Sequence, residues 1–318
     1  MTARARGMLS GLVGVIMVAA LAGCGGDAGA EDGPTKMTVG LIPVADYAPV
    51  TYALEKGYFK AEGLDIEIQS LQGGAAAVPG LLSGDLQVSV TNWVSFVQAV
   101  TKNTPIRAFA PGAVATPGYS GIYVAKGSDI TDPAGLQGKV VAVTELKTIT
   151  ELTTREALKE AGVDPGGVQF TTVPLNSIVP AVNEGQVAGG WLVEPFISQG
   201  KAAGQRQLLD VYAGRFRDVS IGGYITSAKF AAENQDALKG FAAALGKAVN
   251  EMNDNKSLVE DTLIGMKAMK PEQKGSLLMP TFGNGLSPKD VKVWADVMID
   301  HEFIDAEVNL GEAIIDVG

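Results

Sequence analysis

Short apolar runs alternate with helix-periodic stretches along most of this chain. Met37 to Ile42 predicts a strand, and Val50, Ala53, Leu54 and Tyr58 recur at helical spacing across 48–60. Leu64, Ile66 and Ile68 then alternate with Asp65, Glu67 and Gln69, the pattern of a half-buried strand, before Gln72-Gly73-Gly74 leads into a short helix over 75–82. Strands over 86–91 and 106–110 with a helix over 94–100 continue the rhythm, and a second series follows: strand 139–144, helix 149–161, strand 168–173, helix 176–183. Strands separated by helices predict parallel sheets covered on both faces. Two segments break the alternation, 119–125 and 221–226, and read as strands that cross between the two series. Beyond 228 the pattern is mostly helical: Leu238, Phe241, Leu245, Val249 and Met252 form one stripe, and Ser287-Pro288-Lys289-Asp290 has the cap, first-turn proline and N3 acid of a helix start.

The stretch AVNEGQVAGGWLVEPF, residues 181–196, reads as helix end, glycine turn, apolar strand, then a Glu-Pro that opens the next helix. Residues 81–93 (LLSGDLQVSVTNW) repeat that grammar. In open α/β sheets ligands bind beyond the carboxyl ends of the strands, so two units that each present an aromatic there suggest two lobes facing one cleft. The candidates for ligand contact are the strand-end residues: Asp46, Tyr47, Gly73, Gly74, Asn92 and Trp93 from the first series, and Thr148, Asn176, Trp191 and Glu194 from the second, with Tyr224 in the returning strand. Gly73, Gly74 and the start of the helix at Ile149 offer backbone N–H groups to an anion.

Each candidate also has a plainer role. Trp93 and Trp191 either line the cleft or fill the core. Asp46 and Glu194 either meet ligand or cap the helices that follow them, and Tyr224 either touches ligand or stiffens the hinge. Lys147, the nearest cation, is expected in solvent, and the lone His301 in a structural role.

The N-terminus changes the picture of where this happens. Arg4 and Arg6 precede an apolar run from Met8 to Ala22 that is too short to span a bilayer and ends Leu21-Ala22-Gly23-Cys24, a secretory signal with a lipobox. Residues 1–23 are expected to be removed, Cys24 to carry lipid, and 24–35 to serve as a flexible tether. The protein is then exported and held on the outer side of the bacterial cell membrane. Cys24 is the only cysteine, so no internal disulfide forms. Loss of Arg4 and Arg6 leaves 23 basic residues against 35 acidic, a net charge of −12, which argues against nucleic acid as a partner. Gly at 40 of 318 residues suits many tight turns between buried elements.

Several short motifs occur in one order through the mature chain: Ala53-Leu54-Glu55-Lys56-Gly57-Tyr58-Phe59 with Glu62-Gly63-Leu64-Asp65, then Leu82-Ser83-Gly84-Asp85, Leu136-Gln137-Gly138-Lys139, Glu184-Gly185-Gln186-Val187 and Glu194-Pro195. With the lipobox, they resemble the substrate-binding proteins of nitrate-, sulfonate- and taurine-type ABC importers and their thiamine-pyrimidine precursor relatives. The resemblance implies an α/β, type II periplasmic-binding-protein fold: two doubly wound lobes, 36–122 plus 223–318 and 123–222, joined by two hinge strands. It implies a monomer that captures a small polar organic molecule between the lobes and delivers it to a membrane permease, without cofactor or metal.

Alternatives are a binder of pyrimidines or other nitrogen heterocycles, a sensor lipoprotein, or a pyrimidine-synthase-like enzyme. The composition weighs against the last. One histidine, with the one cysteine assigned to lipid, excludes a Cys-His dyad, a histidine-based triad and a zinc site of several His or Cys ligands. Asp46 and Glu194 together suit a ligand with a donor nitrogen better than a bare anion.

Overall fold

The computed structural model describes residues 33–318; the expected signal peptide, Cys24 with its lipid, and most of the expected tether lie outside the described residues. The first series builds β1 (Thr35–Leu41), α1 (Ala48–Glu55), α2 (Tyr58–Ala61), β2 (Leu64–Ser70), α3 (Ala77–Ser83), β3 (Val88–Asn92), α4 (Trp93–Thr101) and β4 (Ile106–Pro111). After β5 (Ala113–Val114) come β6 (Ser120–Val124), β7 (Val140–Val143), α5 (Ile149–Glu160), β8 (Gln169–Thr172), α6 (Leu175–Asn183), β9 (Gly189–Val193), α7 (Phe196–Ala202) and β10 (Arg206–Asp210). The chain finishes with β11 (Gly222–Ser227), α8 (Ala228–Glu233), α9 (Gln235–Asp254), α10 (Ser257–Gly265), β12 (Thr281–Phe282) and α11 (Pro288–Asp300). None of the described helices is long and apolar enough to cross a membrane.

Two five-stranded sheets result, ordered β2-β1-β3-β11-β4 and β10-β6-β9-β7-β8. Hydrophobicity sets these places. β3 and β9 are buried at every position and sit in the middle of their sheets, whereas β2, buried at Leu64 and Ile66 but exposed at Asp65 and Glu67, takes an edge. In each sheet the four strands of its own series run in one direction, and the crossing strand enters antiparallel: β11 between β3 and β4, β6 between β10 and β9. This is the type II periplasmic-binding-protein fold, two doubly wound lobes joined by two hinge strands.

The crossing itself is a narrow ribbon. Outgoing residues 112–115 pair with returning residues 218–222 through Gly112 N–H to Gly222 O (2.8 Å), Ala115 N–H to Val219 O (2.7 Å), Asp218 N–H to Ala115 O (2.8 Å) and Ile221 N–H to Ala113 O (2.9 Å). The whole of β6 therefore lies in the second sheet, and the boundary expected after residue 122 falls inside it. Residue 222 likewise opens β11 of the first sheet.

Local sequence explains the smaller features. The single helix expected over 48–60 breaks in two because Gly57 turns left-handed (φ 74°), a conformation glycine adopts without steric cost, and α2 restarts from it. The stripe Leu238, Phe241, Leu245, Val249 and Met252 of α9 is buried throughout. Asp290 closes the start of α11, its Oδ2 accepting from both the N–H and the hydroxyl of Ser287 (2.7 Å each). At the far end of α11, His301 Nε2 lies 2.7 Å from Glu156 Oε2 on α5, beside Arg215, which also meets Glu156 (3.3 Å) and Asp300 (2.5 Å). His301 is thus a structural group that ties α11 to the second lobe.

Candidate functional site

Parallel strands of both sheets point their carboxyl ends at one cavity of about 80 Å³. The first lobe contributes Ile42, Val44, Asp46 and Tyr47 after β1, Gln72, Gly73 and Gly74 after β2, and Asn92 at the end of β3. The second contributes Thr144, Glu145, Thr148, Ile149 and Thr150 between β7 and α5, Leu175 after β8, and Trp191 and Val193 of β9. Tyr212 and Ile221, from the return between the lobes, complete the wall. A larger groove of 840 Å³ runs along 100–107 and 303–313 on the outside of the first lobe, but no carboxyl ends of parallel strands converge there.

Asp46 is a buried carboxyl group in the wall of this cavity. It sits in a 3-10 turn, Ala45–Tyr47, that leads into α1, and Tyr119, at the start of β6, donates its hydroxyl to Asp46 Oδ1. Burial raises the carboxyl from 3.8 to about 6, against the opposing pull of the Tyr119 and backbone hydrogen bonds. Burial, and then the Asp46 charge, hold the phenols of Tyr47, Tyr119 and Tyr212 well above the usual range, so all three remain hydrogen-bond donors. Tyr47 donates to Thr91 O (3.2 Å) and packs edge-on against Tyr224.

The glycine turn and Asn92 form a second group in the first lobe's wall. Thr91 Oγ1 donates to Gly74 O (3.2 Å), while Asn92 Oδ1 accepts from Ser95 N–H (2.9 Å) and so caps α4 as well as lining the cavity. Gly73 faces the other lobe closely: a β-carbon there would meet the carboxylate end of the Glu145 side chain. Thr148 precedes α5 without capping it; its hydroxyl donates to Glu145 O (3.0 Å) instead. Cavity walls carry no lysine or arginine. Lys147, one residue away, is exposed and lies with its ammonium 4.6 Å from the Phe303 ring centroid.

Asp46, Tyr47, Gly73, Gly74, Asn92, Thr148 and Trp191 are therefore brought together, and Trp93, Asn176, Glu194 and Tyr224 are not among the lining residues. Trp93 is fully buried and donates Nε1–H to Ser220 Oγ (3.0 Å), pinning the return ribbon, and Trp294 Nε1–H reaches Ser220 O (2.7 Å) from the other side. Asn176 opens α6 on the exposed side. Tyr224 stands in the core between Tyr47 and Phe241. Glu194 is fully buried and accepts from Ser198 N–H (3.0 Å), Ser198 Oγ (3.0 Å) and Leu278 N–H (2.9 Å), so it both caps the start of α7 and straps residue 278 to it. Pro195, expected in the first helical turn, is the residue just before α7. Tyr119 and Tyr212 escape a strand-end reading because they flank the crossings, where no periodic signal marks a site.

Fold and cavity together define a two-lobed protein with one cavity where the strand ends of both sheets meet. Residues 44–256 match the family described as NMT1/THI5 like, and the chain belongs to it. The chain is 26% identical over 206 residues to the taurine-binding periplasmic protein of Escherichia coli (strain K12), a match that covers 65% of this chain and 63% of that protein. In fold it is similar to the alkanesulfonate-binding protein of Xanthomonas axonopodis pv. citri solved with MOPS (TM-score 0.76, 14% identity, 89% of this chain and 99% of that one). It is also similar to a ligand-binding component of an ABC-type import system from Staphylococcus aureus solved with zinc (TM-score 0.77, 15% identity, 89% and 97%).

Proposed function

We propose that this chain is the extracytoplasmic binding lipoprotein of an ABC importer and that it captures a small organic zwitterion, a sulfonate bearing an amine, between its lobes. It is a binder and not an enzyme. The observation that carries the reading is the mixed chemistry of one cavity fed by the strand ends of both lobes: acidic side chains, aromatic walls and backbone N–H groups, with no cationic side chain. A ligand that bridges the lobes favours the closed arrangement. Carboxylates suit a donor nitrogen, and the N-terminal end of α5 suits an oxyanion. The match to a taurine-binding protein agrees with that pairing. Zinc is not carried over from the Staphylococcus protein, since the described residues hold no group of three or more His, Cys, Asp or Glu placed for a metal.

The test is calorimetry and thermal shift of the mature chain against taurine, ethanesulfonate, nitrate, bicarbonate, simple amines and pyrimidines. A ligand present at a hundredfold its Kd stabilises by ~2.7 kcal/mol. Taurine is expected to bind tightest; a pyrimidine ahead of every sulfonate would move the chain to the heterocycle-binding alternative. The lipid anchor is checked separately: Cys24→Ser is expected to release the protein from the membrane fraction, and retention there after high-salt washing would contradict it.

A further inference from the structure

Five buried polar side-chain atoms have no hydrogen-bond partner among the described residues: Thr51 Oγ1, Ser95 Oγ, Tyr123 OH, Trp191 Nε1 and Gln205 Oε1. Trp191 is the one of these residues that lines the interlobe cavity. At 5% exposure it is almost wholly removed from solvent, and a buried N–H with no acceptor costs about as much as a lost hydrogen bond. The other two tryptophans are spared that cost, because Trp93 and Trp294 both spend their indole N–H on Ser220.

The place of Trp191 in the sheet says what an acceptor would share with it. Gly190 of β9 pairs with Ala142 of β7, so Trp191 stands beside Val143, and the chain continues from there through Thr144 and Glu145 to the start of α5. That helix has 12 residues and no side-chain cap. Ile149 and Thr150 of its first turn line the same cavity, and a first turn presents N–H groups that have no partner within the helix. The dipole there attracts negative charge. No lysine or arginine is among the cavity residues to take that charge instead.

We infer that the indole N–H of Trp191 is a specificity-determining donor, which together with the first turn of α5 seats an oxyanion oxygen of the ligand in the second lobe. The inference rests on the ligand-binding reading above and adds the residue and the chemical group it selects. An oxygen acceptor satisfies the orphaned donor; an ammonium or a methyl group in that place does not. Discrimination of this kind arises because a site built around a buried donor rejects molecules that leave it unpaired.

The test uses the full mature chain labelled with 15N-tryptophan, with ethanesulfonate and taurine as probes. Ethanesulfonate carries the oxyanion without the amine, so it reports this subsite independently of the carboxylate corner. Three tryptophans yield three indole N–H signals, and Trp191→Phe identifies one by deleting it. That signal is expected to shift downfield on adding either probe, as a newly formed hydrogen bond to an oxyanion requires, with much smaller changes for the other two. Calorimetry of Trp191→Phe is expected to show Kd raised about tenfold to a hundredfold, in the same ratio for both probes. If the probes bind the wild type while the Trp191 signal stays in place and Trp191→Phe keeps full affinity, the indole assignment is overturned and the ligand-binding reading survives. If neither probe binds the wild type at millimolar concentration, both fall.

Discussion

Asp46 and Glu194 are two buried carboxylates, each in the segment that follows a strand of its own sheet, yet they are used in different ways. Burial raises both above the ordinary carboxylate range. Glu194 is surrounded by donors from the protein, three in all, two from Ser198 and one from Leu278. Asp46 has one side-chain donor, Tyr119, and lines the cavity. A carboxylate whose lone pairs are filled from within is a structural joint, whereas one that is buried, costly and only partly satisfied retains capacity for something else to fill. Position at a strand end is common to both and does not separate them.

The largest expected effect tests the joint. Glu194→Leu leaves the N–H groups of Ser198 and Leu278 without an acceptor, while the Ser198 hydroxyl keeps Ser276 O (3.0 Å). At roughly 1–3 kcal/mol for each buried donor left unpaired, urea denaturation of the ligand-free protein is expected to show a loss of about 4 kcal/mol. Glu194→Gln, which turns an amide donor toward those same donors, is expected to lose part of this. The comparison breaks if Glu194→Gln keeps full stability without ligand and instead weakens taurine binding.

The next effect concerns Asp46 and pH. Its folded pKa of about 6 lies above the unfolded 3.8, so between those values the native state holds the proton more tightly than the unfolded chain. Stability from this group is then fully present below about pH 4 and lost as pH rises through 6. Two pKa units correspond to about 3 kcal/mol. About one unit of that shift lies between pH 5 and pH 7.5, so the ligand-free protein is expected to be less stable at pH 7.5 than at pH 5 by about 1.4 kcal/mol on account of Asp46, and Asp46→Asn to remove that part of the slope. An unchanged pH profile in the variant would place the titrating group elsewhere.

Affinity sharpens the contrast from the ligand side. With a charge-assisted hydrogen bond at ~1.5–3 kcal/mol, Asp46→Asn is expected to weaken taurine binding tenfold to a hundredfold and to leave ethanesulfonate nearly unaffected. Equal losses for both would mean that Asp46 shapes the cavity without meeting the amine. The smallest effect is expected at Gly73→Ala. Its backbone is extended (φ −172°), so the methyl group brings no strain, and it meets the far end of the Glu145 side chain rather than backbone. A change in Kd below about tenfold, with an unaltered melting temperature, is the outcome consistent with an overpacking cost near ~1 kcal/mol. Gly74→Ala is expected to cost more, since its methyl group would press on both the side chain and the backbone N of Asn92.

Periodicity alone determined most of the architecture. The alternation at Leu64 to Gln69, the strand expected over 86–91 and found at Val88–Asn92, the stripe on α9 and the helix start at Ser287–Asp290 all report on neighbours within a few residues. The same reading brought Asp46, Tyr47, Gly73, Gly74, Asn92, Thr148 and Trp191 to one cavity, because a strand end in a doubly wound sheet faces the cleft wherever the sheet happens to lie. Only the tertiary structure decided how those residues are used. Whether Trp93 or Trp191 meets the cavity turns on Ser220, which is more than a hundred residues from Trp93 in sequence and lies on the return ribbon. Whether Glu194 is free turns on Leu278, and the state of Asp46 on Tyr119. These are hydrogen bonds between segments that the fold brings together from far apart, and a hydrogen-bonding group leaves no trace in local sequence of whether a distant partner will fill it.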